Sequence, residues 1–153
     1  MNSILFVCTG NICRSPSADG ILRHMAAERG LDLTIDSCGT HGYHVGEAPD
    51  HRSIDTARKN GVDLSFLAAR KLSGDDFEHF DLLLAMDAGH LEIMRSDCPP
   101  AHTHKLHLFL DFLPEHKGAD VPDPYYGEQE GFDHVYDLCY RGCAALIEHK
   151  LKS

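Results

Sequence analysis

The sequence lacks several features that would place the protein in a membrane or on a nucleic acid. It has no apolar run near the roughly 18 residues that a membrane-spanning helix requires. Its opening, MNSILFVC, has neither the basic residues nor the long apolar segment of a secretory signal peptide. Basic residues are scarce, with 14 Lys and Arg against 24 Asp and Glu and a net charge of −10 with histidine neutral. We therefore expect a cytoplasmic protein with no nucleic-acid or membrane partner.

Repeats, linkers and low-complexity tracts are also missing. The 153 residues match the size of one ordinary domain, so a single domain over residues 1–153 is expected. In an intracellular chain the even number of cysteines does not imply disulfides. Two of them are spaced as on one face of a helix and are predicted to lie in the core. The cysteines are Cys8, Cys13, Cys38, Cys98 and the helical pair Cys139 and Cys143.

Apolar segments alternate with helical patterns along the chain, which predicts a doubly wound α/β fold with a parallel sheet. The predicted strands are Ile4–Cys8, Leu33–Thr40, Phe80–Met86 and one within His104–Phe112. The first helix is predicted to start with Ser15 as its cap and Pro16 at its first position, and to stop at Gly30. Further helices are predicted over Asp50–Asn60, Ser73–His79, Ala88–Ser96 and Phe132–Lys150.

A cysteine ends the first predicted strand and an arginine follows it within the stretch VCTGNICRSP. Sites in open α/β sheets lie beyond the carboxyl ends of the strands, beside helix N-termini. The N–H groups of such a loop cradle an anion and favour the thiolate form of Cys8, a strong nucleophile. Arg14 adds a planar fork for two phosphate oxygens, and Ser15 is placed to donate to the sulfur.

This loop therefore predicts phosphoryl transfer to Cys8, with a buried core thiol at a strand end as the alternative. The loop matches neither the nucleotide-binding pattern G-x-x-x-x-G-K-[ST] nor a C-x-x-C redox motif, since four residues separate Cys8 from Cys13.

A second candidate lies in the long polar loop over His116–Gly131, where VPDPYYG holds Asp123 between two prolines. Cleavage of a phosphate ester needs a proton for the leaving oxygen, and a carboxylic acid over the pocket supplies it. Tyr125 and Tyr126 would form an aromatic wall suited to an aryl phosphate. The alternative is an ordinary Pro-Asp-Pro turn with surface tyrosines.

Together, VCTGNICRSP and DPYYG resemble the low-molecular-weight protein tyrosine phosphatases. DSCGT, YHVG and AMD lie between them, so the resemblance covers nearly the whole chain. It implies a phosphotyrosine protein phosphatase I-like fold, with a four-stranded parallel sheet flanked by helices on both faces. It also implies hydrolysis of protein phosphotyrosine and aryl phosphates, affinity for phosphate-like anions, no metal and no cofactor. We further expect a monomer.

The resemblance also implies a role for each matching residue. Cys8 would form a cysteinyl-phosphate, Asp123 would protonate the phenol and then deprotonate the hydrolytic water, and Ser15 would stabilise the thiolate. Arg14 and the loop would hold the phosphate oxygens. The loop residues are Thr9, Gly10, Asn11, Ile12, Cys13 and Ser15, and the substrate slot comprises Ile12, Tyr43, Tyr125 and Tyr126.

Two supporting roles follow from the same resemblance. Asn11 would brace the loop in an unusual backbone conformation, with Ser37 as its partner. Many family members have a histidine that helps hold this asparagine where LSFLAAR has Leu67, so Asp87 is expected to carry part of that network. Cys13 would form a reversible disulfide with Cys8 under oxidation, which protects the nucleophile from sulfinic acid; a space-filling thiol is the alternative.

Three other functions are less favoured. An arsenate reductase of the same fold needs extra thiols after the third strand, where this chain has a single late cysteine, Cys98. A silent phosphate-binding module would be expected to lack Cys8, Arg14 or Asp123. Alternating histidines on a strand in HTHKLH would suit zinc, but a solvated stretch is favoured and no metal site is predicted.

Overall fold

The computed structural model describes residues 2–151. Within them, four parallel strands form one sheet in the order β2-β1-β3-β4. The strands are β1 Ser3–Cys8, β2 Thr34–Gly39, β3 Leu82–Ala85 and β4 Leu106–Leu108. The register pairs Cys8 with Gly39 and Val7 with Ala85, so the carboxyl ends of the central strands meet at one edge. The predicted parallel α/β sheet is confirmed.

Helices cover both faces of this sheet. They are α1 Arg14–Arg29, α2 His51–Lys59, α3 Asp76–His79, α4 Ala88–Asp97 and α5 Gln129–Leu146, which a π-helical turn over Ile147–Leu151 extends. Shorter 3-10 segments span Pro100–Lys105, Phe109–Phe112 and Pro114–His116. None of the helices within residues 2–151 is long and apolar enough to cross a membrane.

The strand β1 supplies side chains to two separate hydrophobic clusters, because successive strand residues point to opposite faces. Ile4 and Phe6 pack with α1 and α5, and Phe6 meets the Phe109 ring edge-on at 5.4 Å. Leu5 and Val7 pack with α3 and α4 on the other face. Burial on both faces explains the continuous apolar run of β1. Cys139 and Cys143 lie in α5 and are fully buried in the cluster that this helix forms with α1, as predicted.

The start of α1 differs from the prediction. The helix begins at Arg14, its capping position is Cys13, and no side chain caps it. Ser15 is thus inside the first turn. Its Oγ contacts Cys8 Sγ and accepts from the side-chain amide of Asn11, and it does not accept from the helix N–H groups. The predicted stop at Gly30 is confirmed by its left-handed φ of 66°.

Other boundaries also differ from the prediction, and α5 begins at Gln129 rather than at Phe132. His102 and His104 lie in the 3-10 segment Pro100–Lys105, whereas His107 lies in β4. The alternating histidines therefore do not share a strand, and the zinc alternative, which required them to do so, loses its basis. The short helix predicted from Ser73 begins at Asp76, because residues 73–75 form the turn that leads into it.

Candidate active site

The carboxyl end of β1 opens into a pocket of about 240 Å³. Cys8 lies at its base and is 3% exposed, and the loop from Thr9 to Cys13 curves around it into α1. The pocket is lined by Cys8, Thr9, Gly10, Ile12, Cys13, Arg14, Tyr43, His44, Asp123, Tyr125 and Tyr126. Segments that are far apart in the sequence thus line one pocket around the Cys8 thiol.

The loop presents backbone donors to the space above Cys8. Within residues 2–151, the N–H groups of residues 10–13 donate to no backbone carbonyl or side chain. Asn11 has φ of 59°, a left-handed conformation that turns the chain and that asparagine tolerates better than most residues. Consecutive free N–H groups in such a turn form a concave site for an anion.

The Asn11 side chain holds this turn through three hydrogen bonds. Its Nδ2 donates to Ser15 Oγ at 2.8 Å and to Ser37 Oγ at 3.0 Å. Its Oδ1 accepts from the main-chain N–H of Arg70 at 3.1 Å. The hydrogen bond with Ser37 is the predicted one. The Arg70 main-chain N–H thus supports Asn11 from the same stretch in which the resemblance implied a histidine at the position of Leu67.

Ser15 connects the asparagine to the sulfur. Its Oγ accepts from Asn11 and lies 2.9 Å from Cys8 Sγ and 3.4 Å from the Cys38 carbonyl, so the sulfur is the nearer of two acceptors for its hydroxyl hydrogen. A hydroxyl donor stabilises a thiolate more than a thiol. Placement of Ser15 in the first turn of α1, rather than at its cap, is what brings this hydroxyl to Cys8.

Arg14 is buried at the same edge and is held from outside the loop. Its Nη1 donates to Asp87 Oδ2 at 2.8 Å and to the Val121 carbonyl at 3.1 Å. Although burial opposes ionisation, the His90 N–H and the Arg14 charge hold the pKa of Asp87 below its ordinary value. Asp87 was predicted to support Asn11, and that prediction is wrong: Asp87 follows β3, on the side of β1 away from β2, and it supports Arg14 instead.

Asp123 reaches the pocket from the long loop before α5. Its Oδ2 lies 3.9 Å from Arg14 Nη2, its Oδ1 accepts from the Tyr125 N–H at 3.0 Å, and its side chain is 51% exposed. Arg52 of α2 ties this loop down, because its Nη2 donates to the Tyr125 carbonyl at 3.0 Å. The guanidinium also lies over the rings of Tyr125 and Phe132, at 5.6 Å and 4.5 Å from their centroids.

Two histidines at the site were missed by the sequence reasoning. His44 lines the pocket next to Gly10, and its Nδ1 lies 3.1 Å from Glu47 Oε2. His90 Nε2 lies 2.7 Å from Thr9 Oγ1. The signal for His90 was its position three residues after the capping Asp87, but twelve histidines in the chain gave no reason to single it out. The described residues contain no metal-binding cluster of His, Cys, Asp or Glu.

The remaining cysteines differ in their relation to Cys8. Cys13 lies in the same loop, is 5% exposed, and burial raises the pKa of its thiol to about 12. Cys98 packs in the cluster on the other face of the sheet, where its Sγ donates to the Pro99 carbonyl at 3.3 Å. Cys98 is therefore not placed to react with Cys8, as the arsenate reductase alternative would require.

The chain matches the model of the family described as low molecular weight phosphotyrosine protein phosphatase over residues 3–153. It is 39% identical to a low molecular weight protein-tyrosine-phosphatase of Bacillus subtilis, with 96% of this chain and 94% of the relative covered.

Solved structures agree with the sequence comparison. A protein tyrosine phosphatase from Entamoeba histolytica, with Hepes in its active site, has a TM-score of 0.92 and 34% identity, covering 97% of this chain and 96% of the other. Vibrio vulnificus Wzb in complex with benzylphosphonate has a TM-score of 0.86 and 31% identity, covering 96% and 97%. The four-stranded fold, the match over nearly the whole chain and these relatives show that the chain belongs to the low molecular weight phosphotyrosine protein phosphatase family of cysteine-dependent hydrolases.

Proposed function

We propose that this chain hydrolyses phosphotyrosine in protein substrates, with Cys8 as nucleophile, Arg14 as phosphate ligand and Asp123 as acid and base. One observation carries the proposal: Cys8 lies at the base of the pocket, with Arg14 beside it and Asp123 within 3.9 Å of the Arg14 guanidinium. The family match over residues 3–153 also supports one phosphatase domain over the chain.

The first step is attack of the Cys8 thiolate on phosphorus. An S–P bond forms as the bond from phosphorus to the phenolic oxygen breaks, and Asp123 gives its proton to that oxygen. The Ser15 hydroxyl stabilises the thiolate before attack. The N–H groups of residues 10–13 and the Arg14 guanidinium bind the equatorial oxygens, whose charge they offset in the transition state.

The second step returns the thiolate. Asp123, now ionised, takes a proton from a water molecule whose oxygen attacks phosphorus, and the S–P bond breaks to release inorganic phosphate. The exposure of the Asp123 side chain gives water access to this carboxylate. Asp123 ends the cycle protonated, as it began.

The walls of the pocket favour an aryl ester. Ile12, Tyr43, Tyr125 and Tyr126 form an apolar slot above the loop, and an aromatic leaving group gains contact area there. A phosphoserine side chain is too short to reach Cys8 from the rim of such a slot. The benzylphosphonate complex of the Vibrio vulnificus relative, an aromatic ring joined to a phosphate-like anion, supports this substrate class.

Oxidation would be reversible at the same loop. We include in the proposal that a peroxide oxidises Cys8 to a sulfenic acid and that the Cys13 sulfur displaces water from it to form a disulfide. The two thiols share one loop of the pocket, which supports the pairing. Burial raises the pKa of Cys13 to about 12, which opposes its reaction as a thiolate while it stays buried.

The experiment measures hydrolysis of para-nitrophenyl phosphate at about pH 6, with EDTA present, for the wild type, Cys8→Ser and the control Cys98→Ser. Activity is expected in the wild type and control and is expected to vanish in Cys8→Ser, although that variant still binds phosphate. Asp123→Asn should slow phenyl phosphate far more than para-nitrophenyl phosphate, because the poorer leaving group needs the proton. Thiol-dependent arsenate reduction without phosphatase activity would contradict the proposal.

A further inference from the structure

His90 is a buried histidine that the proposed chemistry does not use. It lies in the first turn of α4, beside the carboxyl end of β3, and is 3% exposed. Its main-chain N–H donates to Asp87 Oδ1 at 2.9 Å, so the cap of the helix fixes where the ring enters the site. A buried imidazole this close to a phosphate site needs an explanation for its ring nitrogens.

The ring contacts the phosphate-binding loop through Nε2. This atom lies 2.7 Å from Thr9 Oγ1 and 3.4 Å from Arg14 Nη2. Arg14 Nη2 also lies 3.4 Å from Thr9 Oγ1. The three side chains therefore form a closed triangle, and Thr9 is the residue that directly follows Cys8.

The guanidinium decides the donor and acceptor roles in this triangle, since it has N–H donors and no acceptor. Nε2 therefore faces Arg14 without a hydrogen and accepts the hydroxyl hydrogen of Thr9. The ring proton is then on Nδ1, which lies 3.2 Å from Asp87 Oδ1 without hydrogen-bond alignment. Burial and the Arg14 charge lower the pKa of His90 to about 4, so the ring is neutral near neutral pH.

We propose that His90 is a positioning residue of the phosphate site that acts through Thr9 and Arg14. Because His90 Nε2 accepts the Thr9 hydroxyl hydrogen, the lone pairs of Thr9 Oγ1 face Arg14 Nη2 and accept its N–H. Asp87 and Val121 hold Nη1, so both terminal nitrogens of the guanidinium are oriented before an anion binds. The inference rests on the proposed function, because that function makes Arg14 the phosphate ligand.

The test measures the dissociation constant of inorganic phosphate by calorimetry for four variants. His90→Leu removes the acceptor and should weaken binding about tenfold. Thr9→Val removes the hydroxyl and should have a similar effect. The double variant should bind no more weakly than the weaker single variant, because both changes break the same chain of contacts. His90→Gln, whose amide oxygen replaces Nε2 as acceptor, should bind within about threefold of the wild type.

Several results would overturn the inference. They are wild-type affinity in His90→Leu, a His90→Gln variant as weak as His90→Leu, and losses that add in the double variant. If His90→Leu does not fold, His90→Gln and Thr9→Val carry the comparison, and a His90→Gln variant weaker than Thr9→Val counts against it. A wild type that does not bind phosphate also overturns it. A wild type that binds phosphate with the expected pattern, but does not cleave para-nitrophenyl phosphate, overturns the proposed function alone.

Discussion

Gly39 packs against the main chain of the phosphate-binding loop. It ends β2 opposite Cys8 in the register. A methyl group added there would lie 2.6 Å from the Thr9 carbonyl oxygen, 3.0 Å from the His41 carbonyl oxygen and 3.1 Å from the Gly10 carbonyl carbon. All three atoms belong to the main chain, so no side chain can rotate away to make room.

The size of the effect follows from these distances. Carbon contacts are comfortable at about 3.5 Å or more, so Gly39→Ala must displace the Thr9 main chain by about 1 Å. Overpacking of this kind costs about 1–3 kcal/mol of unfolding free energy. A misplacement of about 1 Å in a catalytic loop costs about 100-fold in rate. We therefore expect kcat/KM to fall about 100-fold in a protein that remains folded.

The assay combines kcat/KM for para-nitrophenyl phosphate with urea unfolding of the same preparation. Gly42→Ala is the control, because its added methyl would lie 3.6 Å from Val45 Cγ2, an ordinary contact, in the loop that follows β2. The control should keep nearly wild-type values in both measurements. A folded Gly39→Ala variant with kcat/KM within about threefold of the wild type would refute the reasoning.

Three further predictions concern the core, the arginine and pH. In Gly142→Ala, the methyl would lie 2.6 Å from Phe109 Cζ, so the unfolding free energy measured in urea should fall by about 1–3 kcal/mol. In Asp87→Asn, Arg14 loses the carboxylate that orients it at 2.8 Å, and kcat/KM should fall about tenfold or more. His90 has a pKa of about 4 when folded against 6.5 when unfolded, so the unfolded chain takes up a proton that the folded chain refuses. The neutral His90 therefore stabilises the folded protein above pH 6.5. The free energy of unfolding should fall by up to about 3 kcal/mol as the pH drops from 6.5 to 4, and urea unfolding across that range measures it.

Each of these has a matched control. Gly74→Ala, whose methyl meets nothing within 4 Å, should leave stability unchanged, and an equal loss in both glycine variants would contradict the packing argument. Asp97→Asn changes an exposed carboxylate at the other end of α4 and should keep full activity. The pH effect should disappear in His90→Gln, and an unchanged pH dependence there would assign it to other groups.

The local parts of the site were readable from the sequence. Cys8 and Arg14 share one loop, and the β1–loop–α1 order follows from an apolar run, a turn and a helical period. The predicted cap was wrong for a tertiary reason. Ser15 Oγ contacts Cys8 Sγ and accepts from the Asn11 side chain instead of capping the helix, and capping propensity alone does not predict these tertiary partners.

Apart from the Asn11–Ser37 hydrogen bond, which the resemblance implied, contacts across strands were not readable from the sequence. Asn11 accepts from a main-chain N–H at Arg70, a donor that every residue except proline has, so no residue type marks it. Asp87 was assigned to Asn11, whereas the strand order β2-β1-β3 places it on the Arg14 side of β1.

The sequence by itself determined the family, the sheet class, and the nucleophile, arginine and acid candidates. Short motifs of particular residue types, and the family resemblance of these motifs, indicate each of them. The tertiary structure alone decided which neighbouring groups orient Arg14 and the loop of Asp123. The triangle of His90, Thr9 and Arg14, and the Arg52 tie to the Asp123 loop, join residues far apart in the chain. Such contacts depend on strand order, which the packing of the whole sheet sets and no local sequence pattern specifies.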